Sequence, residues 1–223
     1  VDVGAGAPRR VVLYGVRDGV WDADERRFAG FLVGRQATAG TSAETTALTE
    51  TRYHPGLGET RVLRGQAWYA RTERGAEVHQ IVETEWDTLL PRSLADQGVV
   101  DPRLRVAVMR SARTHHFEGE STPRQTLSTY LYDLEGRQIE QRDEGRLDLT
   151  GDELVTQRAY ASGDRPWVRD RVIQEWLREG DNTLVSHSRT YFGDETTVTP
   201  VLGQVGKGWP VKSEAWLAEE ARW

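Results

Sequence analysis

The sequence predicts an all-β fold built from antiparallel hairpins, and three features of the chain support this prediction. Glycine is frequent, with 22 residues, and eight Trp and seven Tyr are typical of pleated sheets. Short alternating apolar runs recur between turn signals. Clustered Ala, Leu and Glu occur only over residues 213–221, where we predict one short helix.

The strand signals follow one another along the chain. Residues 37–47, rich in Thr, Ser, Gly and Ala, are predicted as a loop. The clearest hairpin lies near the C-terminus, because residues 180–182 (Gly-Asp-Asn) supply the positive-φ positions of a tight reversal. The predicted strands cover residues 11–14, 28–33, 49–54, 63–72, 78–86, 104–109, 172–177 and 184–192.

The domain organisation predicted from the sequence is a single β-rich segment over residues 1–223. No linker stands out, and residues 96–102 are the best candidate for an internal boundary. The chain begins with Val1 rather than Met, so we expect it to be a fragment of a larger protein.

Composition argues against several classes of function. There are 29 basic and 35 acidic side chains, giving a net charge of −6, and the signs alternate, which argues against nucleic-acid binding. The chain has no cysteine, which excludes disulfides, thiolate metal sites and cysteine nucleophiles. No apolar run approaches the roughly 18 residues of a membrane helix, so we expect no direct membrane insertion.

Histidine offers the main candidate chemistry. His115 and His116 are adjacent, but in a strand they point to opposite faces and cannot share one metal ion. His116 and Glu118 would share one face of that strand, and ordinary polar pairing with a neighbouring strand is the favoured interpretation. His187 lies between two serines without the strand–turn–helix context of a nucleophile elbow. We therefore predict no catalytic, cofactor or metal residues and no enzymatic activity; a hydrolase assembled from distant residues, dependent on one of these histidines, is a third option.

The tryptophans suggest an alternative function. Aromatic rings on a sheet can stack against sugars, although Trp and Tyr also pack sheet faces in ordinary β proteins. An extracellular β-rich glycan-binding module is therefore the alternative to the function inferred below. Its candidate residues are Trp68, Trp86, Trp167, Trp176 and Trp209.

Several sequence blocks resemble a known family. Residues 132–137 read Tyr-Asp-Leu-Glu-Gly-Arg, which resembles the YD repeat of Rhs proteins. Residues 21–31, with an acidic-basic run before Phe-Ala-Gly-Phe, are similar to a block in the B component of bacterial insecticidal toxin complexes, and residues 189–194 resemble a later block. The family-motif residues, all assigned structural roles, are Trp21, Asp22, Phe28, Gly30, Phe31, Tyr132, Asp133, Gly136, Arg137, Tyr191, Gly193 and Asp194.

The resemblance implies a shell function. Rhs-type proteins coil a long β-sheet into a hollow cocoon around a toxic polypeptide, so this chain would be a wall segment of a secreted particle. Its partners would be the remaining segments of the same shell, the enclosed effector and a translocation-channel component of the A type. The family's self-cleavage motif Asp-Pro-x-Gly is not matched at residues 101–104, so no autoprotease role is assigned. Phe31, Tyr132 and Trp176 are expected to be buried and structurally important.

Overall fold

The computed structural model describes residues 11–40, 45–99, 101–161, 170–194 and 196–217. Twelve strands form over this part of the chain, and their order in the sheet follows the order in the sequence. Neighbouring strands pair antiparallel wherever their register is described. The predicted all-β fold class is confirmed. The strands are β1 (Val12–Asp22), β2 (Arg27–Thr38), β3 (Ala47–Tyr53), β4 (Ala67–Arg74), β5 (Glu77–Leu89), β6 (Val106–His116), β7 (Arg124–Tyr132), β8 (Gln138–Arg146), β9 (Leu154–Tyr160), β10 (Val172–Glu179), β11 (Leu184–Gly193) and β12 (Trp209–Leu217).

Helical structure in the described residues is confined to short connections. The helix α1 (Arg92–Ala95) follows β5, and the 3-10 helices Gly58–Leu63 and Pro102–Leu104 precede β4 and β6. None of these helices has the length and apolar character needed to cross a membrane.

The hairpin predicted near the C-terminus is confirmed. β10 and β11 pair antiparallel, and Asn182 adopts a φ of 77° in the turn between them. The Asp181 carboxylate accepts a hydrogen bond of 2.8 Å from the backbone N–H of Thr183. Asn tolerates the left-handed region and Asp closes the turn locally, so the sequence chemistry accounts for this reversal.

The predicted helix over residues 213–221 is wrong in the part that the structure describes. Ser213 pairs with Thr190 and Ala215 with Ser188, so residues 213–217 belong to β12. Sheet pairing with β11 outweighs the weak helical propensity of this segment. Residues 218–221 lie outside the described residues.

Several strand boundaries also differ from the sequence prediction, and β2 and the start of β4 are examples. β2 passes through Gly34 and ends at Thr38, because Gly34 pairs with Val16 on one side and Thr51 on the other. A Cβ at Gly34 would lie 3.3 Å from the Tyr53 ring, so glycine here provides space for an aromatic side chain rather than a strand end. Residues 63–66, predicted as strand, instead comprise the end of a 3-10 helix and a turn.

The contacts divide the chain into two compact units. Unit 1 contains the described residues of Val1–Thr88 and Gly98–Gln125, and unit 2 contains those of Leu89–Gln97 and Thr126–Trp223. Few apolar side chains are buried in either unit, and most strand residues are only half-buried. Each unit is therefore held together largely by strand pairing and turn contacts. Buried apolar residues in the described chain are Val33, Leu63 and Val108 in unit 1, and Val155, Ala161, Phe192 and Val205 in unit 2.

Candidate functional site

The motif residues singled out in the sequence cluster at three turns, and each turn is closed by an aspartate. We name these turns the Asp22 turn (residues 22–27), the Asp133 turn (residues 133–137) and the Asp194 turn (Asp194, Thr196 and Thr197). In each, the carboxylate accepts hydrogen bonds from backbone N–H groups that follow it. Asp is favoured at such positions because its short side chain reaches the backbone two or more residues ahead.

The Asp22 turn joins β1 to β2 around a nearly fully buried carboxylate. Asp22 is 2% exposed, and its Oδ1 accepts hydrogen bonds of 3.1 Å from the backbone N–H groups of Asp24 and Glu25. Arg64 Nη2 donates to Asp22 Oδ2 at 2.5 Å. The Glu25 backbone bond contributes most to lowering the pKa of Asp22, and together with Arg64 it outweighs desolvation. The carboxyl is therefore held in its charged form.

Arg64 links this hairpin to a segment distant in the sequence. It lies just before β4 and donates from Nη1 to Glu25 Oε2 at 2.9 Å and from Nη2 to the Gly56 carbonyl at 2.9 Å. Arg61 Nε lies 3.2 Å from Glu25 Oε1 in the same ion-pair network. The pairing of Arg64 with Asp22 was not predicted from the sequence, because it depends on how the chain folds back.

The aromatic residues of this motif block lie on the surface of unit 1. Phe28 and Phe31 contact each other edge to face with ring centroids 5.0 Å apart. Phe31 is 43% exposed, so its expected burial is wrong, and Trp21 is also exposed. Gly30 lies opposite Val20, beside the irregularity in the β1–β2 register. The block therefore forms a turn with an apolar surface beside it.

The Asp133 turn contains the YD motif and joins β7 to β8. Asp133 Oδ1 accepts hydrogen bonds of 2.9 Å from the backbone N–H groups of Glu135 and Arg137, and Arg137 Nε donates to Oδ2 at 2.6 Å. Gly136 has a φ of 83°, a left-handed conformation that glycine adopts without steric cost. Burial raises the pKa of Asp133, but the bonds from Arg137 and Glu135 outweigh it and leave the pKa lowered. Each part of this motif thus has a local structural role.

Neighbouring elements of unit 2 pack against the Asp133 turn. The Arg137 guanidinium lies 4.8 Å from the centre of the Tyr160 ring, and the Tyr160 hydroxyl donates to the Gln138 carbonyl at 2.8 Å. Ser93, at the start of α1, donates from its backbone N–H and hydroxyl to the Glu135 carboxylate at 3.0 and 2.6 Å. Tyr132 is half-buried in β7 and pairs with Gln138. These contacts connect the turn to β9 and α1.

The Asp194 turn follows β11 and repeats the capping pattern. Asp194 Oδ1 accepts from the backbone N–H and hydroxyl of Thr196 at 2.9 and 2.6 Å, and the Asp194 N–H donates to Thr197 Oγ1 at 2.9 Å. A Cβ at Gly193 would overlap the Thr197 side chain, so this position requires glycine. In the preceding strand, Tyr191 donates to Glu214 of β12 at 2.8 Å.

The three carboxylates are unsuited to general acid catalysis. Each accepts several hydrogen bonds, and the pKa of each is lowered, for Asp194 chiefly by the Thr196 hydroxyl. A general acid needs a raised pKa near the working pH and access to a substrate. Their chemistry is that of turn stabilisation.

The histidines lie in ordinary polar and packed surroundings. His115 Nε2 lies 3.1 Å from Glu83 Oε2 of β5, a polar contact between strands of the expected kind. Glu118 does not share a strand face with His116, because β6 ends at His116 and Glu118 lies in the following turn, where it accepts a hydrogen bond of 3.2 Å from Arg124 Nη1. His187 stacks on Trp176 with centroids 5.0 Å apart, and desolvation chiefly lowers its pKa. Within the described ranges, no cluster of three or more His, Asp or Glu could hold a metal ion.

The candidate sugar-stacking tryptophans that the structure describes are divided between the two units. Trp68 and Trp86 line a cavity of about 440 Å³ in unit 1, beside Asp87. Trp176 in unit 2 is half-buried against His187, as expected for a packing residue, and Trp209 lies in β12 of the same unit. Trp167 lies outside the described residues. Sequence spacing alone did not identify which aromatic residues share a cavity.

Two surfaces of unit 1 were not predicted from the sequence. The β1–β2 hairpin and the end of β3 line an apolar cavity of about 460 Å³, with Tyr14, Val16 and Tyr53 among its residues. A second, polar cavity of about 290 Å³ lies among arginines of β1 to β4. Both depend on strand register, which brings residues from three or four strands together.

Comparison with known proteins identifies a shared fold. No family model and no curated protein sequence matches the chain. The Photorhabdus luminescens Tc holotoxin pore structure aligns with a TM-score of 0.69 and 13% identity, covering 92% of this chain and 15% of that one. A TcdB2–TccC3 crystal structure aligns with a TM-score of 0.68 and 14% identity, with the same coverages. A TcdB2–TccC3 structure without the hypervariable C-terminal region aligns with a TM-score of 0.67, 14% identity and the same coverages.

These likenesses concern fold, because the identities are low. The chain spans 15% of the length of each matched chain, about one seventh. Over 92% of the chain, the antiparallel fold expected from the motif blocks is shared with these Tc toxin structures.

Proposed function

We propose that this chain is a wall segment of a Rhs-type toxin-complex shell that encloses a toxic polypeptide and helps to deliver it. The observation that carries the proposal is the likeness to Tc toxin structures across 92% of the chain. The family motifs support it, because their residues form the turns that connect successive strands.

The physical properties of the chain support a role as a wall. Its strand order places β1 and β12 at the two ends of the described sheet, so each has an edge where a further strand of the same shell can pair. Exposed apolar side chains such as Tyr14, Val16 and Trp21 remain on unit 1. Extensive exposed apolar surface is typical of residues that contact another polypeptide.

The proposed partners are therefore polypeptides. They are the remaining segments of the shell, the enclosed toxic effector and an A-type channel component, and we propose that the assembly is secreted. We propose no enzymatic activity for this segment, and its turn carboxylates serve to fix the wall.

Protease protection of the enclosed polypeptide tests this function. The full-length parent protein is purified with its effector and treated with a protease that cleaves unfolded chains. We expect the effector to resist cleavage until denaturant opens the shell, whereas the same polypeptide expressed without the shell is degraded at once. Equal degradation rates with and without the shell would exclude encapsulation.

Glycan binding is a second candidate, favoured by the cavity that Trp68 and Trp86 share beside Asp87. Trp68 is exposed and Trp86 is half-buried, and an indole ring next to a carboxylate is able to stack on a sugar and bind its hydroxyls. A glycan array probed with the chain and with Trp68→Ala tests it, and Trp209→Ala serves as the control tryptophan. Signals that Trp68→Ala abolishes and Trp209→Ala retains would support a sugar site; no signal would remove this candidate.

A further inference from the structure

The polar cavity of unit 1 contains an unusual concentration of arginine. We define the arginine cluster as Arg17, Arg35, Arg52 and Arg71, which line the cavity together with Glu50 and three other residues. They come from β1, β2, β3 and β4 in turn. The chain carries a net charge of −6, so this cluster is a local reversal of the overall charge.

Strand register places these side chains on one face. Arg35 pairs with Glu50, and Glu50 pairs with Arg71, so these three residues form a row across β2, β3 and β4. Arg52 lies two residues from Glu50 on β3. Arg17 lies two residues from Gly15, which pairs with Arg35 across β1 and β2. Residues two apart on a strand point to the same face, so the four guanidiniums converge.

Glu50 organises the cluster from its centre. Its Oε2 accepts from Arg35 Nη2 at 2.6 Å and from Arg17 Nη2 at 3.5 Å, and its Oε1 accepts from Arg52 Nε at 3.2 Å. The hydrogen bond from Arg35 is the main cause of the lowered pKa of Glu50. Arg52 also lies 5.1 Å from the centre of the Tyr69 ring.

The positive charge exceeds what the local carboxylates neutralise. The lining has four guanidiniums and two carboxylates, Glu50 and Glu73, an excess of two positive charges. Asp18, 3.7 Å from Arg17 Nε, lies outside the lining. The Arg17 and Arg35 side chains are 51% and 49% exposed, so much of their hydrogen-bonding capacity faces solvent. An arginine has five N–H donors arranged to bind planar carboxylates in pairs.

We propose that the arginine cluster binds an acidic segment of another polypeptide. The four arginines lie on four neighbouring strands that are about 4.8 Å apart, so an acidic chain that crosses these strands would meet their guanidiniums in succession. Leu48 and Tyr69 add apolar contacts in the same cavity, which suits a peptide better than a bare inorganic anion. This inference rests on the proposed shell function, in which the acidic segment belongs to the enclosed polypeptide.

Fluorescence anisotropy with a labelled hexaglutamate peptide tests the site on the chain itself. At low salt we expect measurable binding that weakens as salt is added. Arg35→Gln and Arg71→Gln should each weaken binding about fivefold, and Glu50→Gln should strengthen it about fivefold, because it removes a competing carboxylate. Arg124→Gln is the matched control, since Arg124 is 47% exposed, pairs with one glutamate and lies in the same unit.

The arginine variants are expected to bind the peptide more weakly and Glu50→Gln more tightly, so the test stays informative even if a variant is less stable. Misfolding would weaken binding in every cluster variant, whereas the proposal requires tighter binding in Glu50→Gln. Equal effects of Arg35→Gln and Arg124→Gln, or binding of tripolyphosphate without binding of hexaglutamate, would overturn the proposal. This assay does not involve the assembled shell, so its failure is distinct from failure of the protease protection experiment.

Discussion

The Asp22 turn and the Asp133 turn are closed by the same kinds of contact, but the arginine that pairs with the aspartate comes from a different part of the chain in each. In both turns, the aspartate accepts hydrogen bonds from two backbone N–H groups and forms an ion pair with an arginine. At the Asp133 turn the arginine is Arg137, four residues away, but at the Asp22 turn it is Arg64, 42 residues away. A local pair fixes one hairpin, whereas the distant pair also holds separate segments of unit 1 together.

The largest expected effect comes from breaking the long-range pair. Arg64→Ala should lower the free energy of unfolding by about 3 kcal/mol, because it leaves the buried Asp22 carboxylate without its counter-ion. Urea unfolding followed by circular dichroism measures the change. Arg137→Ala is the matched variant and should cost only about 1 kcal/mol, since the Asp133 side chain is 21% exposed whereas that of Asp22 is 3% exposed. Equal losses in the two variants would show that the two turns do not differ in the proposed way.

A substitution at Gly136 tests the backbone geometry of the Asp133 turn. Gly136→Ala should destabilise the fold by about 1–2 kcal/mol, because alanine is strained at a φ of 83°. Gly15→Ala is the control: Gly15 lies in β1, a Cβ there meets nothing within 4 Å, and its effect should stay within about 0.5 kcal/mol. A neutral Gly136→Ala in thermal unfolding would contradict the assigned role of the motif glycine.

The left-handed residue of the Asp22 turn is Arg26, and we expect its replacement by glycine to raise stability rather than lower it. Arg26 is exposed and has a φ of 52°, a conformation that costs a non-glycine residue energy. Arg26→Gly should therefore stabilise the chain, by about 0.5 kcal/mol after the added flexibility of the unfolded chain is counted. A clear loss of stability would mean that the Arg26 side chain has a role beyond the turn.

The smallest effect is a gradual loss of stability in acid. The pKa values of Asp22, Asp133 and Asp194 are lowered on folding, so their contributions are complete above their unfolded values near pH 4 and are lost as the pH falls through the folded values. The pKa values of His54 and His187 are also lowered, by desolvation, so protonation opposes folding below about pH 6.5. Thermal melts from about pH 7.5 downward should show a monotonic decline; a rise in melting temperature between about pH 6 and 4 would contradict these directions.

The sequence identified the residues of the Asp133 turn but missed the strand that follows it. Asp133, Gly136 and Arg137, which were singled out by their resemblance to the YD repeat, all act within five residues. β8 has the sequence QIEQRDEGR, whose polar residues conceal the alternation that marks a strand, and no strand is predicted there. β12 is misread because its partner β11, not its own propensity, determines its conformation.

The candidate sites depended on information that a linear pattern lacks. Arg64 and the arginine cluster acquire their roles through register and chain reversal, and a one-residue shift would move each side chain to the opposite face. Phe31 shows the reverse error, since an aromatic residue in a motif is expected to be buried but is 43% exposed. That exposure is understandable if the surface is completed by another polypeptide.

Electron cryomicroscopy of the full-length parent protein with its effector tests the central claim most directly. We expect a hollow particle in whose wall this chain forms consecutive antiparallel strands, with β1 and β12 continuing into neighbouring strands. A solid particle without an enclosed volume, or this segment standing apart from any closed wall, would contradict it.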